Sequence, residues 1–324
     1  MKHFLFEFIT GGGLIGEPLT DSLVNEGTLI IKTLINELIT SGNKNIVITR
    51  DERIESIDDR VSQKIIHKSC ENQLIEDIKK SDICWLIAPE TKNHLYKLTE
   101  LFIKNSNLYI GSDLKSVKLT SSKLATSLFL MNADICTPET TKLDDFIPKS
   151  KTGWIIKPDD GVGAQDCFLL QDKSEVKIYI EKGLSNYIIQ PYIEGEHLSI
   201  SILAYNKKIQ LLSCNKQVLE IKNKSVSLSS IFVNQCLYYQ NEMRELAEKI
   251  ITIIPGLSGY IGIDLIKCDN KLFVIDINPR FTTSYAGISR SLNQNITKKI
   301  LMTFILNEIQ DVNLEKSIPI EIKL

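Results

Sequence analysis

The chain has 324 residues, a hydrophobic share of 43% and a formal net charge of −2, so it can bury two or three packed subdomains and is too apolar to be disordered. No Lys/Arg block stands out from the interleaved acids, and nucleic-acid binding finds no electrostatic support. There is no signal-peptide core and no run near the ~20 apolar residues that span a bilayer, so a soluble, cytoplasmic protein is expected, with no membrane partner.

Residues 1–112 alternate strands with helices, the pattern of a parallel α/β sheet. Strands are expected at Phe4–Ile9, Ile46–Arg50, Ile83–Ala88 and Leu108–Ile110, and helices near Thr28–Thr40 and Lys92–Lys104. Open sheets of this kind bind ligands at the carboxyl ends of their strands, where Glu7, Arg50, Asp51, Arg53 and Pro89-Glu90 would gather. Most such charges are solvated surface; Glu7 stands apart as an acid inside an aromatic strand. Gly11-Gly-Gly13-Leu-Ile-Gly16 spells the dinucleotide fingerprint G-x-G-x-x-G. That fingerprint needs a helix entered directly from the strand. Here Glu17-Pro18 intervenes and the periodic helix starts only near Gly27, which argues for a substrate-facing loop.

Residues 113–185 read as a small lid-like unit with a helix from Ser121 to Met131, a strand ending in Lys157 and a helix near Glu175–Lys182. In Trp154-Ile-Ile-Lys157-Pro-Asp-Asp-Gly161-Val-Gly163-Ala-Gln-Asp166, the lysine can offer a point charge to phosphates. Gly161, Gly163 and Ala164 let backbone N–H groups come close to phosphate oxygens, although an ordinary turn can read the same way. Residues 186–324 read as mostly antiparallel. Ile188-Ile-Gln190-Pro191-Tyr192-Ile193-Glu-Gly195-Glu196-His197 is a strand, a glycine break and a second strand. Its edge backbone would face a flat base, followed by a polar group for a ribose. Leu198–Tyr205 and Lys208–Cys214 pair across Asn206-Lys207, and a helix is expected at Glu242–Ile253. Asn215-Lys216-Gln217 reads equally as a nucleotide-facing segment or a strand-end turn.

The most informative stretch runs from Gly259 to Arg280. Ile261–Lys267 and Lys271–Ile277 are rich in β-branched residues, with turn chemistry at Asp269-Asn270 between them. Strand side chains alternate faces, so Asp276 and Asn278 share one, and hairpin pairing can bring Asp264 beside them. Two carboxylates and an amide oxygen suit Mg²⁺ shared with substrate phosphates. Arg280 adds a planar donor for phosphate or carboxylate. A polar hairpin edge would explain Asp269 and Asn270, but not Asp276 and Asn278 in an apolar strand.

Taken in order, these motifs resemble the ATP-grasp superfamily of carboxylate–amine ligases from about Asp113 to Arg280. The resemblance implies an ATP-grasp fold, α/β overall and α+β in its nucleotide-binding part. Its divisions would be an amino-terminal α/β domain (1–112), a lid subdomain (113–185) and a carboxy-terminal subdomain with the metal site (186–324). It implies ATP with Mg²⁺ or Mn²⁺. Lys123 and Lys157 would contact phosphates, Gln190 to Ile193 would give adenine its backbone contacts, and Glu196 or His197 would hold the ribose. Asp264, Asp276 and Asn278 match the family's metal ligands, and Arg280 its stabiliser of the transferred phosphoryl group. The loop Gly-Val-Gly-Ala-Gln-Asp departs from the family's Gly/Ser-rich run.

Phe6-Glu7-Phe8-Ile-Thr-Gly-Gly-Gly-Leu, Ser22–Gly27 and Asn278–Tyr285 look like the branch containing tyramine–glutamate ligases of methanofuran biosynthesis, which join an amine to the γ-carboxylate of glutamate. Glu7, Gly12, Glu26 and Arg50 then become substrate-pocket candidates. The expected activity is amide formation through an acyl phosphate, from a small-molecule carboxylate and amine, with a homodimer among the expected assemblies. The alternatives are activation of another carboxylate or an ATP-binding module without catalysis; the full set of metal ligands and both lysines weigh against the latter. The seven cysteines (Cys70, Cys84, Cys136, Cys167, Cys214, Cys236, Cys268) are scattered with no C-x-x-C, and read as reduced packing thiols with no zinc site.

Overall fold

Runs such as Phe4-Leu5-Phe6 and Cys84-Trp85-Leu86 are apolar on both strand faces, which requires cover on both sides of a sheet. A computed structural model describes residues 1–68, 71–145, 147–163 and 166–324; Cys70 and the loop residues Ala164 and Gln165 lie outside the described residues. Strands β1 (His3–Glu7), β2 (Ile46–Asp51), β3 (Ser62–Ile66), β4 (Ile83–Ile87) and β5 (Leu108–Ile110) form an all-parallel sheet in the order β3-β2-β1-β4-β5. One face (Leu5, Ile48, Trp85) packs on helix α1 (Asp21–Thr40) through Ile31, Leu34 and Leu38. The other (Phe4, Phe6, Leu86) packs on α2 (Glu71–Lys79) and α3 (His94–Asn105) through Ile78 and Phe102.

Two elements of this half differ from expectation. Strand β3 and helix α2 were absent from the sequence reading. Burial in β3 is confined to Ile66, so it lacks the apolar run that marks a central strand. Helix α1 starts at Asp21, not near Gly27. Gly27 sits inside the helix because a Cβ there would lie 2.6 Å from Glu7 Oε2. Glycine costs a helix interior about 1 kcal/mol relative to alanine, so close packing explains its presence. Gly27→Ala should therefore lower stability by ~1–3 kcal/mol, the usual scale of overpacking, against the gain that propensity alone would give. Equal or higher stability in urea would show that Glu7 can move aside.

After α4 (Leu114–Thr120) and α5 (Lys123–Asn132), the rest of the chain builds one antiparallel sheet of ten strands. Strands β6 (Thr141–Lys142), β7 (Trp154–Pro158), β8 (Cys167–Leu170) and β9 (Tyr187–Pro191), with α6 (Lys173–Glu181), enclose a small core of Leu143, Trp154, Ile156, Leu170, Val176 and Ile189. Strand β9 hydrogen-bonds to β7 and β6, so Tyr187–Pro191 pairs within this small unit, across the division expected at 185/186. The larger part comprises β10 (Glu196–Tyr205), β11 (Lys208–Lys222), β12 (Ser225–Val233), α7 (Gln240–Ile253), β13 (Gly259–Cys268), β14 (Lys271–Asn278), α8 (Tyr285–Leu292), α9 (Ile296–Leu306) and β15 (Ile320–Lys323).

Both expected hairpins close on two-residue turns. Tyr205 pairs with Lys208 across Asn206 (φ 48°) and Lys207 (φ 65°), the left-handed pair that follows the twist of the strands. Cys268 pairs with Lys271 across Asp269-Asn270. The two halves are tied by α1, where Glu37 accepts from the Thr297 N–H (2.9 Å) and hydroxyl (2.7 Å) at the start of α9. Among the described residues no helix is long and apolar enough to cross a membrane.

Candidate active site

Hairpin register decides which side chains meet. Asp264 on β13 stands directly opposite Asp276 on β14, and Gly262 opposite Asn278, so all three polar side chains share one sheet face. The same face continues across β10, where Ser199 pairs with Asp264, and β11, where Asn215 pairs with Ser199. Asp264 accepts from Gln217 Nε2 at 2.8 Å and from Asn278 Nδ2 at 3.2 Å. Burial, then the charge of Asp276, pushes the Asp264 carboxyl up to about 6. Two carboxylates forced together out of water call for a cation. Lys123 supplies one, its Nζ lying 2.9 Å from Asp276 Oδ2 and 2.7 Å from the Gly161 carbonyl.

This donor set fits a divalent ion. Among the described residues no three or more His, Cys, Asp or Glu gather as a metal cage. Two carboxylates and an amide instead suit a hard cation that takes its remaining ligands from phosphates and water.

The carboxylates line a cavity of about 380 Å³, within the range of small-molecule sites. Lys123, Lys157, Gly161 and Gly163 line it, as do Gln190, Pro191, Tyr192 and Ile193, with His197, Asp264, Asp276 and Asn278. Lys157 reaches it because strand alternation sends Trp154 and Ile156 into the small core and Ile155 and Lys157 the other way. Burial and the neighbouring charge of Lys123 lower the Lys157 pKa, and among the described residues no protein acceptor pairs with its ammonium. For Lys123 burial also favours the neutral form, but Asp276 outweighs it and the pKa rises. One lysine is thus already paired, while the other lines the cavity with no ion-pair partner in contact among the described residues.

Alternation also separates Glu196 from His197. His197 lines the cavity. Glu196 turns to the opposite face, accepting from the Tyr238 (3.2 Å) and Tyr239 (3.3 Å) hydroxyls. Gln217 is a site residue that the sequence left undecided. Strand β11 runs on to Lys222, so the strand-end turn considered for Asn215-Lys216-Gln217 is not formed. The signal was the alternation Gln217, Leu219, Ile221, all three of which line the cavity.

Arg280 does not line this cavity. Its guanidinium is held by Glu90 from the loop after β4, with Nε 3.0 Å from both carboxylate oxygens and Nη2 2.9 Å from Oε2. Nη2 also reaches Asn278 Oδ1 (3.4 Å), and Nη1 donates to the Phe281 carbonyl (3.2 Å). Among the described residues, one of its five N–H groups, on Nη1, has no acceptor. Glu90 was noted in the sequence only as a strand-end acid; no local pattern marks it as the partner of a residue 190 positions away.

Arg280, Gly163, Glu7 and Glu26 are among the residues lining a second, smaller cavity. Glu7 is buried at the end of β1, beside Ile87 at the end of β4. Gly12 and Arg50, also expected here, line neither cavity. Gly12 turns at φ 94° over Ile66, and Arg50 donates from Nη1 to the Ile54 carbonyl in the loop after β2, its buried Nε having no partner among the described residues. Arg53 likewise closes on Asp51 (2.7 Å) and on the Leu14 and Glu17 carbonyls. The glycine loop thus packs onto its own sheet.

A parallel sheet followed by a two-part antiparallel clasp, with lysines from one part facing carboxylates from the other, defines a nucleotide-dependent enzyme. Family models agree: an ATP-grasp domain matches residues 120–284 and a pre ATP-grasp 3 domain residues 45–117. The chain is 30% identical over 289 residues to tyramine–L-glutamate ligase of Methanocaldococcus fervens, covering 87% of this chain and 88% of that protein. It is 28% identical to the enzyme of the same name from Methanocaldococcus jannaschii, covering 82% and 79%. Among solved structures, an ATP-grasp superfamily protein from Archaeoglobus fulgidus superposes with a TM-score of 0.75 at 22% identity, covering 100% of this chain and 99% of that one. The chain belongs to the ATP-grasp family. It is an ATP-dependent carboxylate–amine ligase, an enzyme class that forms a C–N bond with ATP and a divalent metal and acts on small molecules.

Proposed function

We propose that this enzyme makes a γ-glutamyl amide, activating glutamate with ATP and passing it to an aromatic amine such as tyramine. The likeness to two tyramine–L-glutamate ligases along most of the chain supports the pair. The observation that carries the reading is the junction of the two cavities at Gly163: a phosphate-suited cleft on one side, acids and a guanidinium on the other.

In this reading Asp264, Asp276 and Asn278 hold Mg²⁺, or Mn²⁺ in its place, which when bound neutralises phosphate charge facing an anionic carboxylate. Lys123 and Lys157 bind the phosphates, Gln190 to Ile193 flank the adenine and His197 takes the ribose. The substrate carboxylate attacks the γ-phosphorus, ADP leaves, and Arg280, its net charge offset by Glu90, stabilises the charge in transit through its one remaining N–H on Nη1. The amine then attacks the acyl carbon and expels phosphate, with Gly161 and Gly163 lining the cleft from which water must be kept. A homodimer remains the proposed assembly.

The test is ADP release across a panel of acids and amines, supplied alone and in pairs, with mass spectrometry of the product. Strong turnover is expected only with glutamate present, giving a γ-glutamyl amide. Turnover with unrelated acids, and none with glutamate plus any aromatic amine, would keep the ligase and overturn this pair. Lys157→Met is expected to weaken ATP binding by ~1–3 kcal/mol, the scale of a lost charged hydrogen bond, with exposed Lys149 as a neutral control. Equal calorimetric affinities for wild type and Lys157→Met would remove Lys157 from the phosphate site.

A further inference from the structure

The smaller cavity has a volume of about 60 Å³. Its walls are mostly apolar, with Leu23 and Ile30 from α1 and Ile87 from β4, and the charged residues lining it are Glu7, Glu26 and Arg280. It is therefore an amphipathic chamber beside the cleft that holds the proposed phosphate site, not a patch of surface acids. Its charges are not equivalent. The Arg280 charge is already met by Glu90 at 2.9 Å. Glu7 is saturated from within, its Oε1 accepting from the Ile9 N–H (3.1 Å) and its Oε2 from the Thr10 N–H (2.6 Å) and hydroxyl (2.7 Å). Glu26 is different. Its Oε1 accepts from the Thr283 hydroxyl, and among the described residues no donor is recorded at Oε2. Glu26 is only partly buried, and its charge acts on both Glu7 and Arg280.

We infer that this chamber takes a primary ammonium group of a substrate, with Glu26 as its ion-pair partner. The sign follows from the lining, since an anion would meet two carboxylates and a guanidinium already neutralised. The size follows from the volume. A cavity that binds benzene is about 150 Å³, and this one, open to solvent on one side, is well below that, so it suits an ammonium head group with the rest of the molecule lying outside it. The rest of the molecule must extend towards Gly163 and the cleft. The inference rests on the ligase reading for its biological use. Two sources carry the same chemistry: the α-ammonium of an amino-acid substrate, and the attacking amine before it loses a proton.

The site can be tested without turnover. Ethylammonium chloride is the probe, with ethanol as its uncharged counterpart, followed by saturation-transfer NMR on the full chain in ADP. Wild type is expected to bind ethylammonium and not ethanol, and Glu26→Gln to weaken that binding roughly tenfold or more, the scale of a lost charge-assisted hydrogen bond. ADP affinity, read by calorimetry, should be unchanged and shows that the variant is folded. No ethylammonium binding by wild type, or equal binding by wild type and Glu26→Gln, overturns the site. Kinetics then separate the sources, both of which uphold it. If the α-ammonium is the ligand, wild type prefers glutamate to glutarate and Glu26→Gln loses that preference. If the attacking amine is the ligand, the preference stays and the amine KM rises. Failure of glutamate with tyramine in the panel sinks only the substrate pair, because the probe measurement does not depend on it.

Discussion

Asp276→Asn is expected to reduce ligation by at least ~10²-fold, the scale of removing one electrostatic stabiliser from an active site, while leaving the fold in place. The substitution is nearly isosteric, and β14 is held by its backbone ladder to β13, which does not use the side chain. What changes is charge. Asp276 faces Asp264 across the hairpin and accepts from Lys123 at 2.9 Å. An amide there halves the anionic character available to a divalent cation and leaves buried Lys123 without its ion-pair partner. Initial rates of ADP release at saturating Mg²⁺, alongside circular dichroism, decide the matter. Near-normal turnover by a folded variant would take Asp276 out of the metal's coordination shell.

How far the sequence carried depended on the range of the interaction involved. The carboxylate face was legible because strand alternation and a two-residue turn are local rules, and together they fix the placing of Asp264, Asp276 and Asn278. Lys157 was legible for the same reason. Local rules cannot say which of two adjacent residues faces a cleft when both are polar, which is why Glu196 and His197 could be separated only once the register of β10 was known. Reading Arg50 and Gly12 as substrate residues assumed that polar or flexible groups at strand ends face the ligand. In the fold Arg50 satisfies a carbonyl four residues on, and Gly12 turns over Ile66. Helix α1 was begun too late because Gly27 was taken as a boundary when it is a packing contact with Glu7, a residue from another strand. The Glu90–Arg280 pair was invisible for a related reason: its two halves belong to different sheets.

That pair leads to the second large effect. Glu90→Ala is expected to destabilise the protein by ~3–5 kcal/mol, as removal of one partner from a buried pair does when the other charge stays behind. Glu90 and Arg280 expose only 5% and 12% of their side chains. Burial by itself disfavours the guanidinium charge, and the Glu90 charge is what holds the Arg280 pKa above its ordinary value. Glu90 also fixes the angle of the guanidinium through Nε and Nη2, so its loss should lower kcat more than it raises the KM for ATP. A double substitution separates the two roles. Glu90→Ala with Arg280→Met removes the stranded charge, and its stability should recover relative to Glu90→Ala alone, while its activity should not. Urea midpoints for wild type, both single variants and the double variant give the coupling directly. If Glu90→Ala unfolds within about 0.5 kcal/mol of wild type, the range of an ordinary surface change, the pair holds neither the fold nor the arginine, and Arg280 must be oriented by Asn278 and the Phe281 carbonyl alone.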